Sequence, residues 1–193
     1  MIEMPEAITL AAQLNNTIKE TAERIVTNYT PHKFAFFSGD TAEYDDLICG
    51  KTVKSASAFG GHIIISFDGA EIRFCDGAFP RYNDAESKPP EKHQLLIGFT
   101  DGSAITVTIA MYGFMGVYLE NAMNGDAHYS AAKNAIPPVS DKFDFEYFKG
   151  LLDEKTIKLS AKAFLATEQR IPGLGNGVLR IFFLMPVSTR KRR

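Results

Sequence analysis

The sequence predicts an α+β fold: an N-terminal helix, then an antiparallel β-sandwich over most of the chain, then a small helical domain. Three observations predict it. Apolar residues at helical spacing open the chain, short runs rich in β-branched and aromatic residues follow with glycine turns between them, and helical patterning resumes after a proline-rich break.

The first helix is expected over residues 6–18, where Ile8, Ala11, Ala12, Leu14 and Ile18 share one face. Asn15, Asn16 and Thr17 erode that pattern at its end. Strands are expected at 25–29, 32–37, 51–58, 62–67, 71–74, 93–99 and 104–111, with one short helix inserted at 41–48. Gly60-Gly61, Asp68-Gly69, Asp76-Gly77 and Asp101-Gly102 supply the turn chemistry of hairpins. The stretch IPPVSDK carries two prolines and no periodicity, so a linker at 136–143 separates a sandwich domain (1–135) from a helical domain (144–193). In the latter, helices are expected at 144–152, 160–168 and 176–184, with Ser160 capping the second.

Composition narrows the function classes. A chain of 193 residues with 45% hydrophobic residues and 15 Phe can bury a real core. Its longest apolar runs fall far short of the ~20 residues that cross a bilayer. Glu3 and Glu6 stand where a secretory signal would be basic, so a cytoplasmic chain is expected. Cys49 and Cys75 lack paired spacing, and His32, His62, His93 and His128 are scattered, so neither a disulfide framework nor a metal site is expected. The net charge of −2 is unevenly spread: from residue 141 onward eleven Lys and Arg face six Asp and Glu. A basic end points mildly to nucleic acid, and residues 190–193 supply four of those eleven charges.

One motif carries chemistry. In RIPGLGNGVLR, Gly173 and Gly175 flank Leu174 and lead through Asn176 into a helix, a pattern that can bring backbone amides against a phosphate or merely satisfy a tight turn. The wider stretch LSAKAFLATEQRIPGLGNGVLRIFF resembles the helix-two-turns-helix module of the formamidopyrimidine-DNA glycosylase and endonuclease VIII family. The opening Met1-Ile2-Glu3-Met4-Pro5-Glu6 is similar to that family's MPExPE start. Lys92-His93, Asp101-Gly102 and 116–119 (GVYL) follow the order of its further landmarks.

By that resemblance Asn176 and the Gly173, Leu174, Gly175 backbone would hold DNA phosphates, with Lys162 on the preceding helix. Glu3 and Glu6 would be the family's catalytic carboxylates. They read equally well as acids complementing a helix N-terminus. The family's nucleophile is an N-terminal proline exposed by Met removal. Ile2 stands there instead, and its bulk implies that Met1 is retained with a misplaced primary amine. A start at Met4 would expose Pro5 but would put Thr9 where the second carboxylate belongs. The family's hairpin lysine should fall near Gly60-Gly61-His62 and is missing. Asp76 and Gly113-Phe114 occupy the places of a methionine and an arginine that wedge into the duplex.

After Arg180 the resemblance implies a continuation like DILFNAGIHPK and then a zinc hairpin, whereas this chain reads IFFLMPVSTRK. Deleting one G from codons written for that continuation reproduces residues 181–191. The expectation is therefore a frame change that removed the zinc hairpin, leaving no cofactor, and that made the basic tail accidental. Three functions follow for a monomer facing double-stranded, damaged or abasic DNA. They are a DNA-binding relative with impaired catalysis, an active glycosylase and abasic-site lyase using another amine, and a non-functional frame-shifted fragment.

Overall fold

Strands that bury both β-branched faces need cover on each side, and the chain supplies it with a second sheet and with helices. The computed structural model describes residues 1–122 and 126–185. Helix α1 (Met4–Thr17) leads to β1 (Ala22–Thr27) and β2 (Ala35–Ser38), and a 3-10 turn (Thr41–Glu43) runs into α2 (Tyr44–Ile48). There follow β3 (Val53–Phe59), β4 (His62–Phe67), β5 (Ala70–Asp76), β6 (Pro80–Asn83), β7 (Leu95–Phe99), β8 (Ala104–Val107) and β9 (Gly113–Leu119). Helix α3 (Ala127–Asn134), α4 (Phe145–Gly150), a π-helical segment (Ala163–Thr167) and α5 (Asn176–Leu184) come last. The basic tail and the later part of the expected frame-changed stretch 181–191 fall in residues 186–193, outside the described residues.

The strands form a four-stranded sheet, β1-β7-β8-β6, and a five-stranded sheet, β2-β9-β5-β4-β3. The predicted α+β sandwich behind an N-terminal helix is what forms, with one departure. β2 runs parallel to β9, setting Phe36 opposite Phe114, because the excursion through α2 and six further strands brings β9 back beside it in the same direction. The expected strand at 32–37 begins only at Ala35, and that at 104–111 stops at Val107. The second predicted terminal helix winds mostly as a π-helix, with Ser160 Oγ accepting from Ala163 N–H at 3.1 Å as a cap.

Between the sheets, Ile63, Ile65, Ile72, Phe74, Ile97, Ile105 and Met115 meet in one core. Helix α1 closes its end with Ala7, Ala11 and Leu14. Asn15, which spoils the helical pattern, has a structural use. Its amide pairs with Ala56 on β3 in both senses, Nδ2–H to the carbonyl at 2.7 Å and N–H to Oδ1 at 2.6 Å, fastening α1 to the sheet edge. No helix among the described residues is long and apolar enough to cross a membrane.

Candidate DNA interface and the N-terminal cavity

Three glycines in two turns position the site. At the β3–β4 hairpin tip, a Cβ on Gly61 would stand 2.5 Å from the Ile2 carbonyl, so this position accepts no side chain while the N-terminus lies across it. The Ile2 side chain is buried in the core and its N–H donates to the Asp76 carbonyl. Gly173 adopts φ +79°, and a Cβ there would meet Gly60 Cα at 2.6 Å and Gly61 N at 2.7 Å. Its carbonyl accepts from Met4 N–H at 2.8 Å. The hairpin tip, the first residues and the 173–175 turn are thus stacked backbone on backbone.

The two acids divide their work. Glu6 Oε2 accepts from Glu3 N–H at 2.8 Å and closes the first turn of α1. Glu3 reaches across to α5, where its carboxylate accepts from Gly177 N–H at 2.7 Å and Val178 N–H at 2.8 Å. Two amides that a helix start leaves unmet are satisfied by a protein carboxylate, in the favourable sense of the helix dipole. A Cβ on Gly175 would meet Glu3 Oε1 at 2.5 Å, so a side chain there would displace that carboxylate from α5. Leu174 is buried, whereas Asn176 and Lys162 are exposed. The structure therefore gathers Glu3, Gly173, Leu174, Gly175 and Asn176 at one place.

Beside this junction lies a cavity of about 400 Å³, walled by Met1, Ile2, His62, Arg73, Asp76 and Asp126 among others. Arg73 is 1% exposed. Its guanidinium carbon lies 4.9 Å from the Phe114 ring centre, 5.5 Å from Tyr118 and 5.6 Å from Tyr129. Its Nη1 pairs with Asp126 at 2.7 Å and its Nη2 donates to Tyr118 Oη at 3.2 Å. Asp126 also caps α3 by accepting from Tyr129 N–H at 2.9 Å. Burial works to raise the Asp126 carboxyl, but that amide and Arg73 hold it below the usual carboxylate range. Burial, aided by the Asp76 charge, pushes the Cys75 thiol up to about 12, so it is not a nucleophile.

His62 is pushed down to about 4, first by burial and then by Arg73. Sequence reasoning passed over His62, Arg73 and Asp126, because nothing in their spacing predicts that α3 folds over β5. An unfolded histidine takes its proton near 6.5 and the folded His62 near 4, so stability falls as pH drops between those values. The window is worth about 3 kcal/mol at its acid end. Urea midpoints at pH 7 and pH 4.5 should converge for His62→Phe relative to the parent chain, and an unchanged pH dependence would refute this.

The architecture has counterparts among known proteins. No family model matches the chain. It is similar to a formamidopyrimidine-DNA glycosylase of Wolbachia pipientis subsp. Culex pipiens (strain wPip), with 24% identity over 181 residues, 91% of this chain and 63% of that protein. Among solved structures it matches Lactococcus lactis Fpg (MutM) in complex with FAPY-dG DNA at TM-score 0.73 and 20% identity, covering 92% of this chain and 65% of that one. It also matches L. lactis Fpg with abasic-site DNA at TM-score 0.71 and 20% identity, over 90% and 64% of the two chains. The chain has the fold of the formamidopyrimidine-DNA glycosylase and endonuclease VIII family, and the resemblance read in its sequence holds. It spans just under two thirds of the length of these relatives.

Proposed function

We propose that the chain is a cytoplasmic, monomeric DNA-binding relative of these glycosylases with impaired catalysis, gripping the sugar-phosphate backbone of damaged or abasic duplexes. The observation that carries the reading is the exposed Asn176 at the start of α5, on a turn clamped to the N-terminus by Glu3 and Met4. Within it, 1–135 supplies most of the cavity wall, joined by Gln169, Pro172 and Gly173, 136–143 connects, and 144–193 supplies the phosphate contact, with Lys162 adding charge. Glu3 acts as a strut between the two parts. Two features support impairment: Ile2, with a buried side chain, stands where the family resemblance expects the nucleophile, and Gly61 at the hairpin tip lies too close to the Ile2 carbonyl to be replaced by lysine.

In a gel shift with a duplex carrying an abasic analogue, Asn176→Ala should weaken binding about tenfold, the cost of a charge-assisted hydrogen bond. Equal affinity for parent and variant would end the idea.

A second reading has its own observation: Met1 lines the cavity, and a retained N-terminal amine can form an imine with an opened sugar. Borohydride treatment of the chain with an abasic-site duplex should give no covalent adduct under the first reading. An adduct lost when the amine is acetylated would establish the second.

A further inference from the structure

The last turn of α5 is apolar and uncovered. Ile181, Phe182, Phe183, Leu184 and the C-cap Met185 are between 54% and 82% exposed, and Leu179 is the residue by which the helix is buried. At about 3.6 residues per turn, five consecutive residues point in every direction around the axis. A helix apolar all round is ordinarily enclosed. A flat protein surface would cover one side of this turn and leave the other wet, whereas a medium that surrounds it covers the whole. The five residues rise roughly 7 Å along the axis, comparable with the roughly 5–10 Å to which apolar groups of interfacial helices sink below lipid headgroups.

The neighbouring sequence supplies the sign of the surface. Arg180 is exposed in the helix, and residues 186–193 read PVSTRKRR, with Arg190, Lys191, Arg192 and Arg193 and no acid among them. Basic residues alone would suit nucleic acid, and an apolar turn alone would suit another protein. Their adjacency matches a lipid surface, where apolar groups enter the acyl boundary and cations meet anionic headgroups. We propose that the end of α5 docks on an anionic lipid surface, with 181–185 sunk below the headgroups and the basic residues against them. This goes beyond the DNA-binding reading and does not rest on it. Asn176 opens α5 and the lipid contact closes it, roughly 13 Å away along a nine-residue helix.

The test sediments the full chain with vesicles of phosphatidylcholine alone and of equal parts phosphatidylcholine and phosphatidylglycerol. The chain contains no tryptophan, so Phe182→Trp places a single fluorescent reporter in the turn. The expected result is at least tenfold stronger partition into the anionic vesicles, with blue-shifted reporter emission that brominated acyl chains quench. Phe182→Ser/Phe183→Ser should weaken that partition at least tenfold, and changing Arg190, Lys191, Arg192 and Arg193 to Gln should abolish the preference for anionic lipid. Met111→Ser removes an apolar group of similar exposure, 74%, from the sandwich and should change nothing. Asn176→Ala should also leave vesicle binding intact, so the DNA-binding reading and this one fail separately.

Sedimentation with an unshifted reporter would show charge attraction without burial and overturns the proposal. A reporter already shifted without lipid, together with a doubled mass in ultracentrifugation, assigns the turn to a second copy and overturns it too. Equal loss in Met111→Ser would mark unspecific adhesion of apolar groups. Lowered duplex affinity with unchanged vesicle binding in the glutamine variant would give the basic residues to nucleic acid, and either of these last two results ends the idea.

Discussion

Gly173→Ala is expected to undock the helical turn from the hairpin tip. The new methyl would sit inside contact distance of Gly60 Cα and Gly61 N, both backbone atoms that cannot swing aside, and φ +79° is itself strained for alanine. Overpacking and backbone strain together come to about 3 kcal/mol. Much of that loss should fall on the junction, because the turn, Met4 and Glu3 hold one another there. Limited proteolysis should then cut the variant between residues 141 and 185 while 1–122 survives. Gly150→Ala makes the control: its Cβ would meet nothing within 4 Å, and its cleavage pattern should match the parent's. Equal protection of Gly173→Ala would show that the turn carries no such contact.

That position illustrates what the sequence could tell. Gly173 and Gly175 stood out as glycines before a helix, and α5 appears at the predicted 176–184. The spacing could not say that one is needed for contact with Gly60 and the other for contact with a carboxylate more than 170 residues away. Long-range partners leave no mark in local periodicity. Where burial follows a simple period the reading held: β4 at His62–Phe67 matches its predicted bounds, and α1 differs only at its ends. Where it does not, elements were missed. β6 begins with Pro80, tolerable only on a sheet edge. β9 carries Gly113 and Gly116, which weaken strand propensity. α3 is short and barely apolar, held by Tyr129 and Ala132 and by the Asp126 cap.

Missing α3 also hid the most unusual residue of the chain. On a half-exposed strand Arg73 would be a solvated charge, yet β5 is covered on both faces and Arg73 lies under Tyr129.

Asp126→Asn should therefore cost far more than a surface charge change. Asparagine keeps the side-chain oxygen that caps α3 through Tyr129 N–H, so the substitution isolates the charge. It leaves the Arg73 cation buried without its counter-ion, and breaking such a pair costs about 3 kcal/mol, taken at the low end because Asp126 is 34% exposed. Arg73→Met/Asp126→Asn should recover more than half of that loss, since an uncharged side chain suits the ring cage of Phe114, Tyr118 and Tyr129. Urea denaturation of the two variants at pH 7 distinguishes this from a simple loss of packing, in which the double variant would be the less stable. The pair also sets the cavity wall, because Arg73 ties β5 to the N-cap of α3. If Asp126→Asn unfolds α3 selectively, hydrogen exchange should quicken at Tyr129 and Ala132 while the core strand β7 stays protected.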